Sequence, residues 1–187
     1  RGCLEAYTGG QAVQHFMQSQ LKDDPRHEFF SLPCVNGKVE NLNFKALLEG
    51  VKAKIPLALE WWDEYCLRLA QGIGIIGTCF NPELIVLGTT SHYAGDLLMK
   101  PLRELLPRFM WRLAAGIRLQ AAAKPAIAPA ASSPNLGWAD KSPIAFYLEE
   151  KLGVPAILEN DANAGALAEW FFGHGNGKSN MIYMTMS

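Results

Sequence analysis

The chain has 187 residues, of which 49% are hydrophobic and 19% charged, and its formal net charge at pH 7 is −1. This composition argues against disorder and suffices for a buried core in one domain or two small lobes. Because the Lys and Arg residues are scattered, the chain presents no basic surface for nucleic acid. The sequence contains neither an 18-residue apolar run nor an export signal, so we expect no membrane span and a cytoplasmic location.

Apolar spacing and turn residues divide the chain into helices and strands. Helices are predicted at Leu4–Leu21, Asn43–Val51, Pro56–Gly77, Met99–Leu113, Ser142–Leu152 and Ala162–Phe172. Strands are predicted at Leu84–Leu87, Arg118–Gln120, Pro155–Leu158 and Met181–Met186. The segment Ala121–Pro134 is rich in alanine and proline, which is typical of a linker.

The predicted helix Pro56–Gly77 carries an apolar side and three glycines. The apolar side consists of Leu59, Trp62, Cys66, Leu69, Ile73 and Ile76. Gly72–Gly77 matches the Gly-x-Gly-x-x-Gly pattern of dinucleotide-binding loops, but that pattern requires a strand before it and a helix after it. Here a helix precedes and a strand follows. We therefore predict that the glycines permit close packing, although each costs about 1 kcal/mol of helix stability against alanine.

The polar triplet Glu159–Asp161 lies between the predicted strand Pro155–Leu158 and the helix Ala162–Phe172. Asp161 is thus expected at a strand's carboxyl end, where open α/β sheets bind ligands, and at a helix's amino end, where the dipole favours an ionised carboxylate. Position alone leaves two interpretations open, a helix cap or a catalytic carboxylate.

Cysteine and histidine spacing indicates no complete metal site. The cysteines lie at positions 3, 34, 66 and 79, and the histidines at 15, 27, 92 and 174. None of these spacings is typical of metal ligands. Cys66 and Cys79 are predicted to be small core residues.

Several segments resemble the ROK family, which contains bacterial sugar kinases and sugar-responsive repressors. These segments are Arg1–Gly10, Asn81–Gly88, Ser133–Trp138, Glu159–Asn163, Gly165–Trp170 and Tyr183–Ser187. The resemblance implies an α/β fold of the actin/hexokinase-like (ribonuclease H-like) class. The order is transposed: 1–123 resembles the carboxyl-terminal lobe of ROK kinases, 124–134 is a linker or seam, and 135–187 resembles part of the amino-terminal lobe.

The family's two Gly-rich phosphate loops have no counterpart in this sequence, and only Gly2 and Cys3 remain of its zinc segment. The fold is therefore expected to be incomplete or permuted. Circular permutation, excision of a fragment, and residues recorded out of chain order each explain the pattern. Peptide mapping across Gln120–Asn135 shows whether these residues are joined in one continuous chain.

The resemblance implies a glucokinase-like enzyme that transfers the γ-phosphoryl group of ATP to a hydroxyl of a hexose or amino sugar. It implies that Asp161 is the general base and that Asn160, Glu5 and Asn135 bind the sugar in one pocket. Without the family, Glu5 is interpreted as a solvated residue of a helix's first turn, and Asn135 as part of a turn.

The resemblance also implies which residues contact the nucleotide and metals. Gly88 and Thr89 stand where the family usually has a glycine pair approached by ATP, so Thr89 departs from the pattern. Mg²⁺ would accompany ATP. Cys3 corresponds to a Zn²⁺ ligand, but without partner ligands in the sequence we expect it to be an unpaired thiol. Family members also suggest a homodimer.

Two other functional classes stay open. A sugar-sensing ROK regulator shares the sugar-binding residues but adds a winged helix, and no such segment is visible here. A non-catalytic fragment is favoured by the missing phosphate loops, whereas Asp161 favours the kinase. The sequence does not specify which sugar is bound.

We expect the 187 residues, made alone in the written order, to bind ATP weakly or not at all. Phosphate binding by this fold relies on backbone amides of the two Gly-rich turns, which side chains elsewhere do not replace. Calorimetric titration with ATP and Mg²⁺, followed by a coupled ADP-release assay on a panel of hexoses, tests this expectation. Micromolar ATP binding with sugar-dependent ADP release would contradict it.

Overall fold

The computed structural model describes residues 3–110, 116–121, 149–151, 153 and 161–185. They form two compact units. The first contains the described residues up to Pro82 and those from Tyr93 to Ile117. The second contains Glu83–His92 and the described residues from Arg118 to Thr185. No helix in the described part of the chain has the length and apolar character needed to cross a membrane.

Some predicted elements lie outside the described residues. These are the strand Pro155–Leu158 and the seam at 124–134. Of the predicted helix Ser142–Leu152, residues 149–151 are described and are helical. The predicted division into lobes on either side of the seam therefore stays a prediction.

The first unit is helical in its described part. Its α-helices are α1 (Glu5–Thr8), α2 (Gly10–Leu21), α3 (Phe44–Lys52), α4 (Pro56–Phe80) and α6 (Asp96–Leu105). Helix α5 (Thr89–Ala94) begins in the second unit and ends in the first. Short 3₁₀ helices lie at Glu28–Ser31, Val39–Asn41 and Leu106–Arg108. Their apolar residues form the core of this unit, in which Met17, Phe29 and Leu69 are fully buried.

The prediction of one helix over Leu4–Leu21 is wrong, because Gly9 separates α1 from α2. Gly9 is extended, with φ −70° and ψ 147°. A methyl group at this position would lie 2.8 Å from the Glu5 carbonyl oxygen, so the tight junction requires glycine. Apolar spacing continues across the break, which is why the pattern did not reveal it.

Helices α3 and α4 confirm two predictions closely. Asn43 caps α3, its side-chain oxygen accepting from the Ala46 amide at 3.2 Å. Helix α4 starts at Pro56 as predicted but continues to Phe80, three residues further, and ends at Asn81 in the left-handed conformation.

The apolar side of α4 is partly as predicted. Of the predicted set, Trp62, Cys66, Leu69 and Ile73 are buried. Leu59 is 41% exposed, so its predicted place on the buried side is wrong. Smaller residues of α4, including Ala58 and Ala70, complete the buried side instead, because they allow closer approach of neighbouring segments.

Helix α6 differs from the predicted Met99–Leu113. It begins at Asp96, and its α-helical part ends at Leu105. Pro107 follows within the 3₁₀ helix Leu106–Arg108. Proline has no amide hydrogen, and Pro107 favours the end of the α-helix, although α6 accommodates Pro101 in its interior.

The second unit is built on a parallel sheet with strand order β2-β1-β3. The strands are β1 (Leu84–Leu87), β2 (Arg118–Ala121) and β3 (Met181–Met184). In the ladder, Leu84 pairs with both Arg118 and Met181. All four residues of β1 are buried, as expected for a central strand of a parallel sheet.

The predicted strands are confirmed with small changes at their ends. Strand β1 has the predicted bounds, and β2 is one residue longer, so Ala121 belongs to the strand rather than to the linker. Strand β3 ends at Met184, before the predicted Met186. Helix α7 (Asp161–Phe172) begins one residue before the predicted Ala162.

The glycine-rich pattern Gly72–Gly77 lies inside α4, which confirms that it is not a dinucleotide loop. A methyl group on Gly72 would lie 2.4 Å from a Leu4 side-chain carbon. One on Gly74 would lie 2.6 Å from Phe109 Cβ and 2.8 Å from the Phe109 carbonyl oxygen. These glycines therefore serve helix packing, as predicted.

We expect Gly74→Ala to lower the free energy of unfolding by about 1–2 kcal/mol. Overpacking against the Phe109 backbone costs about 1–3 kcal/mol, and the better helix propensity of alanine returns up to about 1 kcal/mol. Urea unfolding followed by circular dichroism measures the change. The control is Gly116→Ala, because nothing lies within 4 Å of the added methyl there. Equal stability of the two variants would contradict the packing role.

Candidate functional site

The candidate site centres on the edge of the sheet where β1 and β3 end. Parallel strands present their carboxyl ends at one edge, the usual ligand side of an α/β sheet. Gly88 follows β1, and its amide donates to the Met184 carbonyl at 2.5 Å. A methyl group on Gly88 would lie 3.0 Å from that carbonyl oxygen and 3.1 Å from Thr185 Cα. Glycine here allows the ends of the two strands to meet.

A buried serine that the sequence analysis missed organises the turn after β1. Ser91 is fully buried, and its Oγ lies 2.6 Å from the Leu87 carbonyl oxygen and 2.7 Å from that of Gly88. The Ser91 amide also donates to the Gly88 carbonyl at 2.9 Å. These bonds fix the start of α5, whose first residue is Thr89, so the two predicted nucleotide contacts follow β1 directly.

Asp161 is the first residue of α7. The predicted placement at the amino end of a helix is therefore confirmed, while the strand predicted before it lies outside the described residues. At this position, the helix dipole favours a negative charge. The two interpretations of Asp161, a helix cap or a catalytic carboxylate, both stay predictions.

The carboxyl end of α7 is fixed by Glu169, which the sequence analysis did not single out. Its side chain is 4% exposed, and Oε2 accepts from the His174 amide at 3.1 Å. Its carbonyl accepts from the amides of Gly173 at 3.1 Å and Gly175 at 2.9 Å. One residue thus organises the turn that leads from α7 to β3.

The predicted sugar ligands are only partly described. Glu5 lies in α1 of the first unit and is exposed, in agreement with a solvated first-turn position. Asn160 and Asn135 lie outside the described residues. That these residues and Asp161 line one sugar pocket stays a prediction.

An open cleft of about 760 Å³ lies within the first unit. Aromatic rings line much of it, among them Tyr7, Phe16 and Trp61. Arg68 lies at its border, 5.6 Å from the centre of the Tyr7 ring and 2.6 Å from the Glu64 carboxylate. Glu5 is not among its lining residues, so the cleft gives no support to a sugar site there.

The described cysteines do not form a metal site. Among the residues that the structure describes, no three His, Cys, Asp or Glu side chains come together in a way that would hold a metal ion. Cys3 is exposed and has no disulfide partner. The described residues therefore contain no complete set of protein ligands for a zinc ion.

Cys66 is buried, as predicted, whereas the prediction for Cys79 is wrong because it is exposed near the end of α4. Burial raises the pKa of the Cys66 thiol to about 12, and the Asp63 carboxylate adds to the increase. Burial likewise raises the pKa of the neighbouring Tyr65 hydroxyl. Cys66 therefore stays a protonated core residue at neutral pH and is not a nucleophile.

Comparison with known proteins gives a consistent family. The ROK family model matches residues 1–124 and, separately, 112–187. The chain is 41% identical to a glucokinase of Streptomyces coelicolor over 121 residues, which are 63% of this chain and 38% of that protein. It is 29% identical to a glucokinase of Thermotoga maritima over 115 residues, 59% of this chain and 35% of that protein. The chain thus spans little more than a third of these curated relatives.

Repressors are also similar. The chain is 40% identical to the xylose repressor of Bacillus subtilis over 55 residues, which are 29% of this chain and 14% of that protein. Among solved structures, a ROK family glucokinase from Streptomyces griseus, in complex with glucose and AMPPNP, matches with a TM-score of 0.54 and 20% identity. That match covers 65% of this chain and 39% of the glucokinase. It confirms the predicted α/β fold of the actin/hexokinase-like class.

We expect Glu169→Ala to lower the free energy of unfolding by about 1–3 kcal/mol, because the His174 amide would lose its carboxylate acceptor in a part-buried hydrogen bond. Glu169→Gln keeps the shape and one acceptor oxygen, so its loss should be smaller. Urea unfolding monitored by circular dichroism compares both with Glu60→Ala, which removes an exposed glutamate from α4. If Glu169→Ala behaves like the exposed control, the proposed importance of this bond is wrong.

Proposed function

The chain belongs to the ROK family, and we propose that it forms part of an ATP-dependent sugar kinase that resembles glucokinase. The observation that carries this proposal is the 41% identity to the Streptomyces coelicolor glucokinase over 121 residues. The placement of Asp161 at the start of α7 adds a candidate base to that likeness. The substrate class is a hexose or amino sugar.

In the proposed reaction, a sugar hydroxyl attacks the γ-phosphorus of ATP. The new bond joins the hydroxyl oxygen to phosphorus, the bond from phosphorus to the β,γ-bridging oxygen breaks, and ADP leaves. Asp161 accepts the hydroxyl proton. Because the transition state is loose, the proton moves late, so a carboxylate of ordinary basicity suffices and alignment of the groups dominates the rate.

Asn160, Glu5 and Asn135 are the proposed sugar ligands. An amide side chain such as Asn160 both donates and accepts, which suits a hydroxyl that does the same. Glu5 only accepts when ionised, and its exposure in α1 leaves its carboxylate accessible to neighbouring sugar hydroxyls.

Gly88 and Thr89 are the proposed nucleotide contacts. Their support is the position directly after β1, at the edge of the sheet where ligands of α/β proteins bind.

Since the described residues contain no group of three metal ligands, no step is assigned to Mg²⁺ or Zn²⁺. A kinase that uses ATP is expected in the cytoplasm, and the family resemblance supports a homodimer.

We also propose that the two matched segments stand in transposed order relative to ROK kinases. The support is that the family model matches the chain in two separate, overlapping pieces, 1–124 and 112–187. Residues 112–124 are shared between the two matches, and the predicted seam at 124–134 begins where this overlap ends.

A second candidate is a sugar-sensing ROK regulator. The specific observation that favours it is the 40% identity to the Bacillus subtilis xylose repressor over 55 residues. Such a protein would bind sugar without consuming ATP. Calorimetric sugar binding without sugar-dependent ADP release would therefore favour the regulator over the kinase.

We expect Asp161→Asn to abolish most sugar-dependent ADP release by the full-length gene product. Asparagine keeps the shape and much of the capping, so the free energy of unfolding should change by less than about 1 kcal/mol. The loss of turnover follows because an amide cannot take the hydroxyl proton. A coupled assay and urea unfolding measure the two quantities.

The matched control is Asp96→Asn, which makes the same change at the first residue of α6. It should leave turnover unchanged, because Asp96 has no assigned place in the reaction. Near-normal turnover by Asp161→Asn would reject Asp161 as the base, and an equal loss in both variants would point to a general effect on the fold.

A further inference from the structure

The Tyr183 ring lies between two glycines that belong to different elements of the second unit. We propose that Tyr183 is a positioning residue that sets the distance between the first turns of α7, which begins at Asp161, and the Gly88 turn after β1. This inference rests on the proposed function, because Asp161 is the proposed base and Gly88 a proposed nucleotide contact. Tyr183 itself touches neither reacting group in the proposal.

Strand β3 directs the Tyr183 side chain. Tyr183 is opposite Val86 in the ladder. With Met181, it packs against the buried pair Leu84 and Val86. Side chains two residues apart in a strand lie on the same face, so these four residues define one face of the sheet. From this face, Tyr183 approaches Gly165 of α7, and Met181 approaches Gly175 in the turn after α7.

The two glycines leave just enough space for the phenol. A methyl group on Gly165 would lie 2.7 Å from Tyr183 Oη, 2.9 Å from Cζ and 3.0 Å from Cε1. A methyl group on Gly88 would lie 3.2 Å from the same Oη. All four distances are shorter than ordinary contacts between carbon and its neighbours. The phenol tip is therefore a spacer between α7 and the end of β1.

The other end of α7 is held independently. Glu169 fixes the turn after the helix, and a methyl group on Gly175 in that turn would lie 2.6 Å from Met181 Sδ. The carboxyl end of α7 is thus held near the start of β3. The position of its amino-terminal half then depends on the contact between Gly165 and Tyr183. Gly165 is one helical turn from Asp161, so a shift there moves the proposed base.

Phosphoryl transfer is sensitive to such a shift. The protein contributes mainly alignment and electrostatic stabilisation, and a misplacement of about 1 Å can lower the rate about 100-fold. Substrate binding depends on other contacts and is less affected. A spacer residue therefore predicts a loss in kcat with little change in KM.

The test uses the full-length gene product and a double-mutant cycle. Gly165→Ala should lower kcat about 10- to 100-fold, because the methyl pushes α7 away from Tyr183. Tyr183→Phe keeps the ring, so kcat should stay within about threefold of wild type. The double variant removes the atom nearest to the methyl and should recover much of the lost kcat, a non-additive result. KM for sugar and for ATP should stay within about threefold in all three.

Ala168→Ser is the control, since it changes an exposed residue of the same helix and should leave kcat unchanged. Normal kcat in Gly165→Ala, or additive losses in the double variant, would overturn the spacer. A loss in Tyr183→Phe as large as in Gly165→Ala would also overturn it, because the hydroxyl rather than the spacing would then matter.

If wild type shows no sugar-dependent ADP release, the proposed function itself is wrong. An active wild type with a normal Gly165→Ala variant rejects the positioning role alone.

Discussion

The parallel ladder around β1 is the interaction on which the second unit depends. Every residue of Leu84–Leu87 is buried, so the backbone groups of this strand must find partners within the protein. Strands β2 and β3 supply them from both sides. The same pairing brings Gly88 against the Met184 carbonyl and places Tyr183 under α7. One ladder therefore brings together the sheet edge and the turn after β1, and it places Tyr183 against the helix that begins at Asp161.

Elements with strong local signals could be predicted from the sequence. Strand β1 is an apolar run bounded by Asn81–Pro82 and Gly88, and α7 is rich in helix formers and ends at Gly173. The break at Gly9 had a local signal, because a Gly-Gly pair such as Gly9–Gly10 is typical of turns, but the apolar spacing that continues across it outweighed that signal. The end of α6 was ambiguous in the sequence, because Pro107 follows the helix whereas Pro101 lies within it.

The parts of the candidate site that depend on neighbouring residues in the sequence could be predicted. The parts that depend on contacts formed only in the folded protein could not. The start of a helix at Asp161 could be read from its neighbours. Glu169 could not, because a glutamate within a helical pattern is normally exposed and is buried only when other groups satisfy it. Its partner, the His174 amide, becomes a partner only once the turn has formed. Ser91 is similar, since its acceptors are carbonyls at the end of β1.

The ladder also explains how the proposed transposition leaves the sheet intact. In the proposed transposition, β3 comes from the segment assigned to the amino-terminal lobe, whereas β1 and β2 come from the segment assigned to the carboxyl-terminal lobe. Hydrogen bonds between parallel strands are lateral, and they require a crossover connection but not a particular order of strands along the chain. The pairing of β1 with β3, and with it the contact between Gly88 and Met184, depends on the matching apolar faces of the two strands. A change in connectivity therefore alters the path of the chain while the edge that carries the proposed nucleotide contacts is retained.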